Sequence, residues 1–160
     1  MFGLALAEEP AACVFCEIIV GSRQQEGIVY RDDQVIAFLG LGPRNPGHVL
    51  VVPRRHAENF LTVPAETMHA MTDAAKKIAA AIRRTDLKAE GFVLQMNTGR
   101  AAGQSVFHAH LHLIPRFAAE LPKKTTRDRV PMSELTPVAA KICAALATPA
   151  PAGSGLRPAK

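Results

Sequence analysis

A chain of 160 residues with 48% hydrophobic content is long enough for one domain with a proper core and too short for two ordinary ones. No stretch approaches the roughly 20 apolar residues of a membrane span, and the opening MFGLALAEEP lacks the basic start and long apolar core of a signal peptide, so a cytoplasmic protein is expected. The net charge of +5 is not by itself a nucleic-acid signal: residues 1–114 hold 11 Lys+Arg against 11 Asp+Glu, and the whole excess, 8 against 3, lies in residues 115–160.

In chain order, residues 1–12 form an amino-terminal extension. CVFC follows, with Cys13 and Cys16 two of only three cysteines, a count that suits a reducing compartment better than a disulfide framework. The pair reads as half of a zinc site, as a redox couple or as plain buried thiols. Apolar runs predict strands over 27–31, 34–39 and 48–53. Met68, Met71, Ala75, Ile78 and Ile82 then recur at steps of three and four, with Lys76, Lys77, Arg83 and Arg84 off that face, so 64–84 predicts one long amphipathic helix. Strands are predicted again over 91–97 and 105–114. In the basic loop LPKKTTRDRV no aromatic is present for base stacking, which favours a solvated loop over a phosphate or nucleic-acid contact. A helix over 132–147 follows, with Ser133 as its cap and Cys143 among apolar neighbours. The Pro-, Gly- and Ala-rich tail 148–160 is expected to be disordered. The sum is an α+β fold, an antiparallel five-stranded sheet covered on one face by the long helix.

Three motifs carry chemistry. SVFHAHLHLIPR places His108, His110 and His112 at alternate positions, roughly 6 to 7 Å apart on one side of a strand. Such a row binds a metal, handles phosphate and protons, or is decoration; the last would need a separate buried partner for each ring, at about 1 to 3 kcal/mol for each one missed. NTGRAAGQS, residues 97–105, enters that row and reads either as a simple hairpin loop or as a cradle whose backbone N–H groups converge on an anion. PGHVLVVPRRH puts His48 before one strand and His56 after it, while His69 sits off the apolar helix face as a surface residue.

Together HAHLHLIPR, NTGRAAGQSVF, PGHVLVVPRRH and CVFCEIIVG, in that arrangement over roughly 13–117, resemble the histidine triad (HIT) family, and most closely its small bacterial members that begin with CxFC. The resemblance implies a HIT domain over 13–117, followed by the basic loop and carboxy-terminal helix of 118–147, and pairing into a homodimer. It implies a hydrolase or nucleotidyl transferase acting at the α-phosphate of a purine nucleotide, on a phosphoramidate or a dinucleoside polyphosphate. His110 would be the nucleophile, His112 would stabilise the phosphate, His48 would belong to the inner site, and Asn97, Gly103, Gln104 and Ser105 would contact substrate. It also implies a structural zinc held by Cys13, Cys16, His56 and His108, with no metal needed for the chemistry.

Those roles agree with elementary chemistry. A neutral imidazole, with an intrinsic pKa near 6.5, is nucleophilic at pH 7 and a good leaving group in the second step. One position departs from the pattern: the Asp whose carboxylate holds the ribose hydroxyls in nucleotide-binding members aligns with Gly40, which offers no acceptor. A uridylyltransferase would carry Gln in place of His112. A non-catalytic nucleotide-binding or regulatory protein is the rival that Gly40 favours.

Overall fold

The RDDQ turn shows how local chemistry starts the sheet: Asp32 Oδ1 accepts from the backbone N–H of Gln34 at 2.9 Å and of Val35 at 2.8 Å, closing a side-chain turn between two apolar runs. In the computed structural model, which describes residues 13–118 and 129–148, those runs become β1 (Ile28–Arg31) and β2 (Val35–Leu39). With β3 (Val49–Pro53), β4 (Gly91–Gln95) and β5 (Leu111–Arg116) they form one antiparallel sheet in the order β1-β2-β3-β5-β4. The helices are α1 (Val14–Ile19), α2 (Ala65–Ile82) and α3 (Met132–Ala147). The amino-terminal extension, most of the basic loop and the tail from residue 149 lie outside the described residues.

Register assigns each side chain to a face, because residues directly opposite in neighbouring strands point the same way. Ala37 faces Val51, and Val51 faces Leu111; this layer packs beneath α2 and α3. The predicted helix stripe delivers that contact, with Met71, Ala75, Ile78 and Ile82 fully buried and Leu135, Ala139 and Ile142 added by α3. The other face carries Phe38, Leu50, His112 and Gln95, one from each of four adjacent strands.

Here the expectation of a single covered face is corrected. Phe15 and Ile18 of α1 pack on Ile36, Phe38, Leu50 and Val52, so both faces of β2 and β3 are buried and those strands read as unbroken apolar runs. A six-residue helix is not stable alone, and burial of such side chains, about 1.5 to 3 kcal/mol each, is what holds it. The last strand is also shorter than expected. It begins at Leu111, so His108 and His110 precede it and only His112 belongs to the sheet. Ser133 is not a cap: α3 is preceded by Pro131 with no side-chain cap bond. Cys143, among its apolar sequence neighbours, is exposed.

The β2–β3 loop must turn tightly just before His48. Gly47 stands there at φ +80°, and a Cβ would lie 3.3 Å from both Leu87 Cδ1 and Pro115 Cγ. Gly47→Ala should therefore lower unfolding free energy by about 1 to 3 kcal/mol in a urea titration, combining backbone strain with a packing clash. Gly21→Ala, at φ +90° with nothing within 4 Å, isolates the backbone part and should cost less.

Candidate active site and metal centre

A cleft of about 310 Å³ opens on the α1 side of the sheet. Its apolar wall comes from Phe15 and Ile18 of α1 with Phe38 and Leu50, and its polar end gathers His48, His110, His112, Asn97 and Ser105. Residues from five separate stretches of sequence meet there, including most of those expected from the motifs.

The tautomer of each ring follows from what it touches. His110 Nδ1 lies 2.7 Å from the His108 carbonyl. A carbonyl only accepts, so Nδ1 carries the proton and Nε2 keeps the lone pair. Burial, which favours the neutral ring, holds the pKa of His110 below the ordinary histidine value, and the bond to the carbonyl, which favours the charged ring, opposes it only in part. A second chain starts at the Arg44 backbone N–H, which donates to His48 Nδ1 at 3.0 Å. Neutral His48 therefore carries its proton on Nε2, which is 3.0 Å from His112 Nδ1. His112 accepts at Nδ1 and in its neutral form bears its own N–H at Nε2. Burial, then the charges of Arg44 and His110, depress His48 to about 4, so neutral His48 is the working form. A ring with a lone pair thus stands beside a ring with a donor, centroids 4.8 Å apart.

The glycine loop behaves differently from the cradle reading. The backbone N–H groups of Ala102 and Gln104 donate to Gly99 O, that of Gly103 to Arg100 O, and that of Gly99 to Gln104 Oε1, so these four are engaged inside the loop. Gln104, expected to contact substrate, is 3% exposed and does not line the cleft; its Nε2 holds Glu58 O at 2.7 Å and Val106 O at 3.0 Å. Gly103, at φ +83°, does line it, with the Asn97 amide nitrogen 3.4 Å from where a Cβ would stand. The Ser105 hydroxyl is exposed, lines the cleft and has no partner among the described residues. The loop therefore leaves the side chains of Asn97, Ser105 and His112, rather than those four N–H groups, lining the polar end of the cleft. Arg44 and Gln95, which no motif singled out, also belong here, Arg44 donating to Gln95 and Gln95 to Asn97; a lone Arg in a Pro- and Gly-rich loop and a Gln in a strand carry no recognisable pattern.

Behind His110 the chain supplies a second cluster. Cys13 Sγ is 3.4 Å from His108 Nδ1, and Cys16 Sγ is 3.6 Å from the same nitrogen and 3.4 Å from His56 Nδ1. The four donor atoms lie within 4.8 Å of one another. A tetrahedral zinc with bonds of about 2.3 Å to sulfur and 2.05 Å to nitrogen separates those atoms by about 3.6 Å, so this set fits structural zinc. His108 is also prepared for it: its Nε2–H donates to the Pro53 carbonyl at 2.9 Å, turning the Nδ1 lone pair to the thiols. Burial, then the hydrogen bond and charge of Cys13, push the Cys16 thiol up to about 11, the direction a bound divalent cation would reverse.

Two outcomes are expected. Protein carrying Cys13→Ser with Cys16→Ser should lose stoichiometric zinc in inductively coupled plasma analysis and melt at lower temperature; wild-type metal content would place the donors elsewhere. His48 titrates lower folded, near 4, than unfolded, near 6.5, so the unfolded chain binds more protons between those values and stability falls as pH drops through that window. The stability advantage of wild type over His48→Asn should shrink by up to about 3 kcal/mol between pH 6.5 and 4 in urea titrations.

Comparison with known proteins places this geometry. The model described as the HIT domain matches residues 22–119. An uncharacterised HIT-like protein of Saccharolobus solfataricus is 42% identical over 122 residues, 76% of this chain and 85% of its own. The crystal structure of a zinc-bound histidine triad family protein from Mycobacterium smegmatis superposes with a TM-score of 0.76 at 34% identity, covering 85% of this chain and 94% of that one. A hypothetical histidine triad nucleotide-binding protein from Sulfolobus tokodaii superposes with a TM-score of 0.75 at 29% identity, covering 84% and 92%. Fold, motif order and family model agree over the same stretch, and the chain belongs to the HIT domain family, with a donor set that fits its zinc-containing branch.

Proposed function

We propose that the protein is a nucleotide hydrolase that cleaves the bond between an α-phosphorus and its leaving group, an amine or a second phosphate, through a covalent intermediate on His110. The observation that carries this reading is the proton placement: His110 Nε2 keeps its lone pair in a polar cleft while His112 beside it offers N–H. In the first step Nε2 attacks phosphorus, the phosphorus–nitrogen bond to His110 forms and the bond to the leaving group breaks. In the second, water attacks phosphorus and the bond to His110 breaks, restoring the ring. Summed over both, one water is consumed; its OH stays on phosphorus and its remaining hydrogen leaves with the released group. Asn97, Ser105 and His112 meet the charge on the phosphate oxygens. The four zinc donors would complete a closed shell, which makes the ion a structural brace rather than a participant at phosphorus.

The wall of Phe15, Ile18 and Phe38 suits a purine, and the likeness to the Sulfolobus nucleotide-binding protein supports a nucleotide ligand. The same reading makes the protein a cytoplasmic homodimer; pairing is supported by the sheet edge at β4, where Leu94 is 53% exposed. A second reading, a nucleotide binder without turnover, draws on Gly40, which lines the cleft without an acceptor for ribose.

His110→Ala should abolish AMP release from adenosine 5′-phosphoramidate and diadenosine polyphosphates, while His112→Ala should slow it about 10²-fold and still bind substrate. Intact mass spectrometry without acid should find a nucleotidyl adduct on His110. Two in-line displacements retain configuration at a chiral phosphorothioate; inversion would remove His110 as nucleophile and recast it as a base.

A further inference from the structure

We propose that Arg44 is a positioning residue: its guanidinium, acting through Gln95, fixes which end of the Asn97 amide faces the phosphate. Arg44 Nη1 donates to Gln95 Oε1 at 2.9 Å, and Gln95 Nε2 donates to Asn97 Oδ1 at 2.6 Å. A guanidinium has donors only, so Gln95 must turn its oxygen to Arg44 and its NH₂ to Asn97, and Asn97 must receive that NH₂ with its oxygen. What is left at Asn97 is its own NH₂, the end that attracts an anion. Without the Arg at the head of the chain both amides can rotate by half a turn, and the Asn97 oxygen would then repel the phosphate. This rests on the phosphate reading of the cleft.

The same residue heads the imidazole chain, but through its backbone: the Arg44 N–H polarises His48 and His48 polarises His112. Gln95 sits directly opposite His112 in register, so the two chains run side by side across β4 and β5 and both end in N–H groups at the polar end of the cleft. Side-chain replacement at Arg44 removes one chain and leaves the backbone donor of the other in place.

The alternative is direct contact, since Arg44 also lines the cleft. Calorimetric binding of adenosine 5′-monophosphate separates the two. Arg44→Met and Gln95→Leu should each weaken binding about tenfold in the wild-type background, and neither should matter once Asn97→Ala is present. Gln95→Glu strengthens the pair with Arg44 and keeps the melting temperature, yet it offers Asn97 an oxygen instead of NH₂ and should also lose binding; if Arg44→Met folds poorly, the neutral Gln95→Leu with and without Asn97→Ala decides the matter. Equal losses with and without Asn97→Ala, or wild-type binding in Gln95→Glu, overturn the positioning role alone. Failure of wild type to bind the nucleotide overturns the phosphate reading, and the positioning role with it.

Discussion

One hydrogen bond orders the chemistry of this molecule: the 2.7 Å contact from His110 Nδ1–H to the carbonyl of His108. It removes the choice between tautomers at His110, and it does so with the backbone of the residue whose own side chain belongs to the zinc donor set. Everything that holds His108 therefore holds His110. The Pro53 carbonyl takes the far side of the His108 ring, Phe15 packs edge-on against both rings, and the backbone N–H of Ala109 between them donates to Ala57 O at 2.7 Å. The zinc donor set and the polar end of the cleft are two sides of one short segment.

Most of the fold was legible because β2 and β3 are buried on both faces and the long helix on one, so apolar runs and a stepped stripe survive in the sequence. Two things were not legible, for different reasons. α1 is a single short element with no periodicity to detect, and its existence depends on Phe15 and Ile18 finding the exposed half of the sheet. The early start assigned to β5 came from a period of two that is real but belongs to extended chain outside the ladder. Opposite His108 the partner groups are already taken, the Pro53 carbonyl by an imidazole and the Ala109 N–H by a loop carbonyl, so no strand pairing is available there.

The site divides in the same way. Histidines and cysteines are rare enough that their spacing announces them, and the structure gathers Cys13, Cys16, His56 and His108 in one place and His48, His110 and His112 in another. Glycines in 97–105 announced a turn, but which N–H groups remained for an anion depended on bonds within the loop, and Gln104 proved to be its internal strut. Arg44, in the loop before β3, and Gln95, in β4, meet in a sheet where only β5 separates those two strands, a spatial order that the order of residues does not display.

His112 stands directly between Leu50 and Gln95 across three strands, and its neighbour Leu113 lies in the core beneath α2. Moving β5 by one residue would exchange them, burying an imidazole in an apolar layer and presenting leucine to the cleft. A misregistered chain would thus lose its apolar layer and the imidazole of its cleft together. A single-residue insertion within β5 therefore disturbs core and cleft at once, whereas one in a connecting loop can leave both faces of the strand in register.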